Sequence, residues 1–326
     1  MTAPSSRWRG DCDDDDREPL RIAVVGTGAI GTILAAWLSM ANDVVVFART
    51  TEAAERVERM GLVVDGAAPR RVPVAIDPAR LGTFDAFVIA VKTGSTPALA
   101  PFAPSLRDDT IVLTIQNGLG NDDRLRDALG SAIDVVLAPT TIGGTALAPG
   151  RVANATIGTT TMGRVPGCAP RGDLDRLARE FEGVGLPVER PRDIRSAVWG
   201  KLVVSGTINA LAAAHGVPNG ALVDDPDLRL RAAELTREAA AVARALGIAL
   251  PYGDAVGHVE RVALATAANR NSMLQDLEAG RPTEVASLNG AIARAGERAH
   301  VATPAHRAMI SAIERLTANT RPGHRT

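Results

Sequence analysis

The chain has 326 residues, of which 46% are hydrophobic and 22% are charged, and its formal net charge is −1 at pH 7. This composition is typical of a soluble globular protein with material for two domains, and the near-zero charge argues against nucleic acid or an anionic membrane as the main partner. No apolar run approaches the ~18 residues of a membrane span. Two cysteines, Cys12 and Cys168, make no disulfide framework, which fits a reducing cytoplasm.

The N-terminal segment is acidic and lacks hydrophobic periodicity. It carries four consecutive aspartates at positions 13–16, and it has neither the positive start nor the apolar core of a secretion signal. We therefore predict a disordered extension over residues 1–19. A cation site on the aspartates is the less favoured interpretation, and we predict no metal centre.

Residues 20 to 190 alternate short apolar runs with helical patterns. The runs are β-branched and apolar on both faces, as in a parallel sheet covered by helices. Residues 151–164 alternate in polarity and are predicted as an antiparallel hairpin at the sheet edge, followed by a helix at 171–185 and a short strand at 186–190. The predicted parallel strands are LRIAVVG (20–26), VVVFA (44–48), AFVIAVK (86–92), TIVLTIQN (110–117) and DVVLAPT (134–140).

The pattern changes after residues 190–193, where long helical patterns begin without a convincing strand. We predict an α/β fold, with an N-terminal Rossmann-type doubly wound parallel sheet followed by an all-helical C-terminal domain. Residues 190–193 are the predicted hinge for domain closure. The helices are predicted at 193–215, 226–247, 253–279, 283–299 and 304–318, and the domains at 20–190 (cofactor) and 191–319 (helical), with a C-terminal tail at 320–326.

The sequence GTGAIG places Gly26, Gly28 and Gly31 in the pattern G-x-G-x-x-G between a predicted strand and a predicted helix. Gly26 allows the tight turn, Gly28 lets the backbone approach a pyrophosphate, and Gly31 lets helix and strand pack closely. We therefore predict a dinucleotide site at this loop. Its residues are Gly26, Thr27, Gly28, Ala29, Ile30 and Gly31.

The end of the second strand indicates which dinucleotide binds. NAD-binding domains usually carry an acidic residue there for the ribose 2′-hydroxyl, whereas this strand is followed by Arg49, Thr50 and Thr51. A guanidinium suits a 2′-phosphate, because it forms forked, charge-assisted hydrogen bonds. The sequence thus favours NADP(H); the alternative is that Arg49 stacks on adenine without discriminating.

Lysine is almost absent: of 36 basic residues only Lys92 and Lys201 are lysines. Arginine stays protonated, whereas a partly buried lysine can have its pKa lowered and give up a proton. Lys201 lies in a predicted helix with Ser205 and Asn209 following at four-residue steps, so all three can face one cleft. The alternative is a helix lysine that extends along apolar surface to water.

Several polar and glycine positions fall where predicted strands end. Lys92 ends one strand, Asn117 and Gly118 end the next, and Gly143 and Gly144 follow a third. In open α/β sheets ligands bind at the carboxyl ends of strands. We therefore expect the nicotinamide to lie near these residues.

Six motifs occur in a fixed order: GTGAIG, VKTGST, QNGLG, DIRSAVWGKL followed by IN, VPNG, and SMLQDLEAGRPTEV. Together they resemble the ketopantoate reductases (2-dehydropantoate 2-reductases), and the resemblance extends from Arg21 to about Leu316. The long motifs are the specific ones, above all SMLQD followed by Thr-Glu.

This resemblance implies an NADPH-dependent reduction of a 2-oxo acid to a 2-hydroxy acid with Lys201 as proton donor. The chemistry agrees, because hydride delivery to a ketone leaves an alkoxide that an ammonium can stabilise and protonate. The implied roles are catalysis at Lys201 and Glu284; substrate binding at Asn117, Lys201, Ser205, Asn209, Asn219 and Ser272; and cofactor binding, beyond the glycine loop, at Arg49, Lys92, Asn117, Gly144 and Glu284.

Some of these residues also have a purely structural interpretation. Asn209 could satisfy a neighbouring backbone group, and Asn219 could be a turn residue. Ser272 could cap the helix that follows it and still bind a carboxylate. Glu284 lies near the start of the predicted helix 283–299, where an acidic residue is favourable whatever its function.

One position departs from the family. A turn after the lysine, where the family usually carries asparagine, this chain has Ser205. The shorter side chain keeps a hydroxyl, loses the reach of an amide and leaves extra room. The lysine chemistry is unaffected, whereas the identity of the 2-oxo acid or ketone is left open.

The sequence favours a soluble, cytoplasmic ketopantoate reductase of pantothenate biosynthesis that binds a small 2-oxo acid and neither nucleic acid nor membrane. It leaves open whether the chain forms a homodimer. One alternative is a dehydrogenase of a phosphorylated or β-hydroxy acid, for which a basic cluster would be expected. Another is a non-catalytic NADPH-binding sensor, which would lack Lys201 or Glu284.

Overall fold

The computed structural model describes residues 18–78 and 82–320. The predicted acidic extension therefore lies almost wholly outside the described residues, as does the tail after residue 320. The strands are β1 (Arg21–Val25), β2 (Asp43–Phe47), β3 (Val63–Val64), β4 (Val74–Ala75), β5 (Ala86–Ile89), β6 (Ile111–Thr114), β7 (Asp134–Leu137), β8 (Gly143–Ala148), β9 (Arg151–Thr156), β10 (Thr160–Thr161) and β11 (Val188–Glu189).

Helices connect the strands and then make up the C-terminal region. They are α1 (Ala29–Leu38), α2 (Thr51–Met60), α3 (Asn121–Leu129), α4 (Leu174–Gly183), α5 (Ile194–His215), α6 (Ala221–Asp224), α7 (Pro226–Ala245), α8 (Ala255–Ala265), α9 (Ser272–Glu278), α10 (Asn289–Arg298) and α11 (Pro304–Thr320), with a 3-10 segment at Thr93–Ser105.

The five predicted apolar runs form one parallel sheet together with β4. Its order is β4-β2-β1-β5-β6-β7, and every neighbouring pair in it is parallel. The order reverses between β1 and β5, which is where ligands bind in doubly wound sheets. The sheet followed by helices confirms the predicted fold class.

Both faces of the sheet are covered, which explains why its strands read as continuous apolar runs. Ile22 and Val24 of β1 belong to one buried layer, and Ala23 and Val25 belong to the other. The second layer contains four phenylalanines whose rings meet edge to face. Because successive residues are buried on opposite faces, these strands lack the polar face that a half-exposed strand has.

Helix α5 is the central helix of the C-terminal region and packs against α7, α8, α9 and α11. It begins at the side-chain cap Asp193, which accepts from Arg195 N at 2.9 Å. By length and composition α5 could cross a membrane, but 61% of its most apolar window is buried inside the fold. This burial is that of a core helix.

The predicted hairpin at 151–164 is wrong in its pairing. β9 pairs antiparallel with β8 upstream and parallel with β3, while β10 pairs parallel with β11. The turn that closes the hairpin is at Pro149–Gly150, where Gly150 has φ +73°. That proline-glycine turn signal precedes the segment that we predicted to fold on itself.

Two predicted helices are shorter than their patterns. The helix at 253–279 is two helices, because α8 ends at Ala265 and the carbonyls of Ala267 and Asn269 accept from the backbone N–H groups of Gly220 and Asn219 at 3.0 and 3.1 Å. The helix at 283–299 begins only at Asn289. Residues 284–288 form turns instead, so Glu284 is not in the first turn of a helix as predicted.

Candidate active site

The glycine loop lies at the point where the sheet order reverses. Gly26 has φ +122°, and a Cβ at Gly31 would lie 2.2 Å from the Gly26 carbonyl oxygen, so both positions require glycine. A Cβ at Gly28 would meet nothing within 4 Å, and Gly28 is the N-cap of α1 without a side-chain partner for the helix N–H groups. This open helix N-terminus fits a pyrophosphate.

Arg49 follows β2, whose carboxyl end lies beside the glycine loop, and its side chain is exposed. The next residue, Thr50, caps α2 by accepting from Ala53 N at 3.3 Å. The chain between β2 and α2 is therefore short and anchored. The exposed Arg49 guanidinium is therefore in a position to contact the ribose end of a bound dinucleotide.

A cavity of about 130 Å³ lies between the carboxyl ends of β6 and β7 and one face of α5. It brings together three of the predicted site residues, Asn117, Lys201 and Ser205. The cavity thus joins the sheet to the helical region at the edge where ligands are expected.

Lys201 lies in the wall of this cavity. Within the described chain, its ammonium group donates no hydrogen bond to another residue. Burial lowers the pKa of Lys201 to about 8, and the carboxylate of Glu284 opposes this by favouring the charged form. The lysine is therefore charged at neutral pH and close to the point at which it gives up a proton.

Contacts between Gly200 and the residues Pro251 and Tyr252 fix the turn of α5 that carries Lys201. A Cβ at Gly200 would lie 2.6 Å from Pro251 Cγ, and the Tyr252 hydroxyl donates to the Gly200 carbonyl at 3.0 Å. Sequence reasoning missed Pro251 and Tyr252. A signal was present, because Gly200 interrupts a buried helix and marks a close approach.

Asn117 reaches from the sheet to the helical region. Its Nδ2 donates to Glu284 Oε2 at 3.2 Å, and a Cβ at the neighbouring Gly118 would lie 2.1 Å from the Ser287 carbonyl oxygen. The loop after β6 therefore touches the turn at 284–288 directly. This contact brings the two predicted residues Asn117 and Glu284 together.

Lys92 makes a second connection between the two regions. Its Nζ lies 2.6 Å from Asp276 Oδ2 and donates to the Pro282 carbonyl at 3.0 Å, and Asp276 also accepts from Arg281 at 3.0 Å. The Asp276 side chain is only 7% exposed. Sequence reasoning missed Asp276, although it lies within the SMLQD motif.

Three predicted substrate residues lie outside the cavity wall formed by the described residues. Asn209 continues the half-buried side of α5 beyond Ser205. Asn219 is 4% exposed, donates to Thr266 Oγ1 at 3.0 Å and accepts from Asn271 Nδ2 at 3.1 Å. Ser272 is exposed, and the cap of α9 is Asn271 and not Ser272.

Gly144 is half-buried in β8. A Cβ there would lie 2.8 Å from Val152 Cγ1 and 3.2 Å from Ile33 Cδ1. Packing of β8 against α1 and β9 therefore explains this glycine without a ligand. A cofactor contact through its backbone stays a prediction.

Comparisons with known proteins match both regions of the chain. The family described as "Ketopantoate reductase PanE/ApbA" matches residues 22–167, and "Ketopantoate reductase PanE/ApbA C terminal" matches residues 193–317. The 2-dehydropantoate 2-reductase of Halobacterium salinarum is 33% identical over 299 residues, covering 90% of this chain and 98% of the relative. That of Vibrio cholerae is 32% identical over 302 residues, covering 91% and 98%.

Solved structures agree with this assignment. A ketopantoate reductase from Ralstonia eutropha is 28% identical with a TM-score of 0.82, covering 92% of this chain and 99% of that one. D-Mandelate dehydrogenase, solved with NADH and anilino(oxo)acetate, shares the fold with a TM-score of 0.83 at 22% identity, covering 92% and 99%. The chain is an oxidoreductase of the type that acts on CH–OH groups with a nicotinamide cofactor, and it belongs to the ketopantoate reductase family.

Proposed function

We propose that this protein reduces 2-dehydropantoate to pantoate with NADPH, and that Lys201 donates the proton. The observation that carries the proposal is Lys201 itself, an ammonium without a protein partner among the described residues, in a cavity at the carboxyl ends of β6 and β7. The names of the relatives support the substrate, and the reaction belongs to pantothenate biosynthesis in the cytoplasm.

The reaction converts the C2 ketone to an alcohol. NADPH, when bound, would supply a hydride for C2 and be left as NADP⁺, and the electron pair of the carbonyl π bond would pass to oxygen. The Lys201 ammonium stabilises this developing charge and then transfers one proton from Nζ to the oxygen. Lys201 is left as a neutral amine and regains a proton from solvent, so that atoms and charges balance.

Glu284 is the second residue in the proposed catalytic set. Its carboxylate favours the charged form of Lys201, which counteracts the loss of hydration in the cavity. It also accepts the Asn117 side-chain N–H at 3.2 Å. In the proposed mechanism Glu284 keeps Lys201 protonated before each turnover and holds the Asn117 side chain near both ligands.

NADPH is preferred to NADH in this proposal because of Arg49. It is exposed after β2, and its guanidinium can form two charge-assisted hydrogen bonds with a 2′-phosphate. Gly28 and the N-terminus of α1 would hold the pyrophosphate. Lys92 would line the cofactor side of the cleft.

The test follows the absorbance of reduced nicotinamide with the purified protein. We expect ketopantoate to be reduced with NADPH and more slowly with NADH. Lys201→Ala is expected to lose ~10²–10⁴-fold in kcat. The matched control is Lys201→Arg, which keeps the charge but cannot release a proton at working pH. Near-normal turnover by a folded Lys201→Ala protein contradicts the mechanism, and NADPH binding without reduction of ketopantoate contradicts the proposed substrate.

A further inference from the structure

Glu284 lies in the segment 279–288, which joins α9 to α10 without forming a helix or a strand. Its backbone carbonyl accepts from the N–H groups of Ser287 and Leu288 at 3.0 Å, so the residues after it form a closed turn. The residues before it belong to no regular element. The position of Glu284 therefore depends on the contacts that hold those residues.

Asp276, in α9, makes the contacts that hold the first part of this segment. Its Oδ1 accepts from Arg281 Nε at 3.0 Å, and its backbone carbonyl accepts from Arg281 N at 2.8 Å. The Asp276 side chain is buried. It therefore fixes Arg281, which lies one turn of chain before Glu284.

The other oxygen of the same carboxylate is bonded to the sheet region. Lys92 follows β5, and its Nζ lies 2.6 Å from Asp276 Oδ2 and donates to the Pro282 carbonyl at 3.0 Å. The segment is thus held from two sides, by α9 and by the end of a strand. A single residue separates Pro282 from Glu284.

We propose that Asp276 is a positioning residue, which acts on the reduction by holding Glu284 near Lys201. Asp276 itself does not line the cavity that the described residues form between the sheet and α5. Its effect on the reaction is therefore indirect and passes through the segment that it anchors. This inference rests on the proposed function and adds a residue to the same site.

Two other charged side chains line the cavity beside Lys201, one from α3 and one from α5. Asp122 of α3 is paired with Arg126 at 3.4 Å, and Arg195 of α5 is paired with Asp193 at 2.7 Å. The ends of β6 and β7 contribute only uncharged residues to the wall that the described residues form. Movement of the segment 279–288 therefore changes the charge around Lys201 through its carboxylate at position 284.

The consequence is a change in the pH at which Lys201 gives up its proton. Burial lowers the pKa of Lys201 to about 8, and the Glu284 carboxylate opposes this change. When Glu284 moves away, that support is lost and the pKa of Lys201 falls further. A shift of ~0.5 pH unit lowers the rate about threefold on the alkaline side and hardly changes it on the acid side, because protonated lysine is the proposed donor. A purely structural defect lowers the rate by the same factor at every pH.

The test is Asp276→Asn, which removes the charge and keeps the size of the side chain. We expect the alkaline fall in kcat/KM for ketopantoate with NADPH to move to lower pH by ~0.5 unit or more. Asp85→Asn is the matched control, because Asp85 also accepts from an arginine, Arg107 at 2.7 Å, but lies at the opposite end of β5 from Lys92. Its alkaline fall should coincide with that of the natural protein.

Arg281→Met is a second variant, in which an exposed side chain loses its bond to Asp276 and the buried carboxylate stays. We expect a shift in the same direction, and this variant decides if Asp276→Asn does not fold. An unchanged alkaline fall in the folded variants overturns the inference and leaves the proposed function intact. If the natural protein does not reduce ketopantoate, or if its alkaline fall persists in Lys201→Arg, the proposed function or its mechanism fails and this inference fails with it.

Discussion

At the scale of single residues, the two lysines have different surroundings. The Lys201 ammonium lies in a cavity without a protein partner among the described residues, whereas Lys92 is tied to Asp276 at 2.6 Å. Desolvation without a paired carboxylate lowers the pKa of Lys201, whereas the Lys92 side chain is fixed in place by its ion pair. The environment therefore suits Lys201 to proton transfer and Lys92 to holding two parts of the molecule together.

The pH dependence of the reaction should report Lys201. Because burial lowers its pKa to about 8 and the protonated form is the proposed proton donor, reduction is expected at full rate below that pH. The rate should then fall about tenfold per pH unit above it. The measurement is kcat/KM for ketopantoate from neutral to alkaline pH.

The control for this profile is Lys201→Arg, which stays protonated over the whole range. Its residual activity should lack the fall near pH 8. A fall at the same pH in both proteins would assign the titration to another group.

At the scale of elements, α5 is held in register by a buried chain of hydrogen bonds. Asn289 Nδ2 donates to the Gly206 carbonyl at 2.8 Å and lies 3.1 Å from His306 Nδ1, and His306 Nε2 lies 3.0 Å from the Leu235 carbonyl. His306 is neutral with its proton on Nε2 in this arrangement. This chain of bonds thus runs from α7 through α11 and α10 to α5, the helix that carries Lys201.

The buried position of His306 in these hydrogen bonds predicts a loss of stability in acid. Burial lowers the pKa of His306 from 6.5 to about 4, so the unfolded state binds the proton more readily than the folded state. Its contribution to stability is complete above pH 6.5 and is lost as the pH falls toward 4, by up to roughly 3 kcal/mol. Denaturant unfolding at several pH values, compared with His306→Gln, measures the difference.

In His306→Gln the ionisable group is gone, so its free energy of unfolding should change less between pH 6.5 and 4 than that of the natural protein. If the free energy of unfolding falls by the same amount in both proteins between pH 6.5 and 4, carboxylates and not His306 cause the loss of stability in acid.

The sequence predicted those strands and helices that depend on the pattern of neighbouring residues and not on contacts distant along the chain. Five of the six strands of the main sheet were predicted, because burial on both faces leaves a continuous apolar run, and α5 was predicted because its pattern is helical throughout. The edge strand β4 was missed, since it has only two residues and both are half-buried. The break between α8 and α9 was missed, because it depends on backbone bonds to Asn219 and Gly220, about 50 residues away.

The same distinction holds for the site. Lys201, Ser205 and Asn117 were predicted from helical spacing and strand ends, and the structure brings them to one cavity. The partner of Lys92 was missed, because Asp276 lies 184 residues further along the chain. Sequence spacing carries no information about such a contact.

At the scale of the whole molecule, the sheet and the helical region meet closely at Gly118. A Cβ there would lie 2.1 Å from the Ser287 carbonyl oxygen, and the Asn117–Glu284 bond is next to it. The two regions can therefore pack this closely only because residue 118 is a glycine. Any added atom must push the turn at 284–288 away from the cavity.

Gly118→Ala should lower kcat/KM for ketopantoate by at least ~tenfold, because a displacement of this turn also moves Glu284. NADPH affinity, measured by fluorescence titration, should change less, since its phosphates would be held by the glycine loop and Arg49, which follow β1 and β2 and not β6. Gly130→Ala is the matched control: its φ of +116° imposes a similar backbone strain, and a Cβ there meets nothing within 4 Å. Equal losses in both variants would attribute the effect to strain alone.

The near absence of lysine makes the chain unusually simple to label. An amine-directed reagent near neutral pH meets only two side-chain amines, and one of these is held in an ion pair. The amine in the cavity is the more reactive, because reagents attack the unprotonated form and its pKa is about 8. Of the two lysines, Lys201 would therefore take up more of the tag, and occupancy of the cavity could be followed by protection of Lys201, without any measurement of turnover.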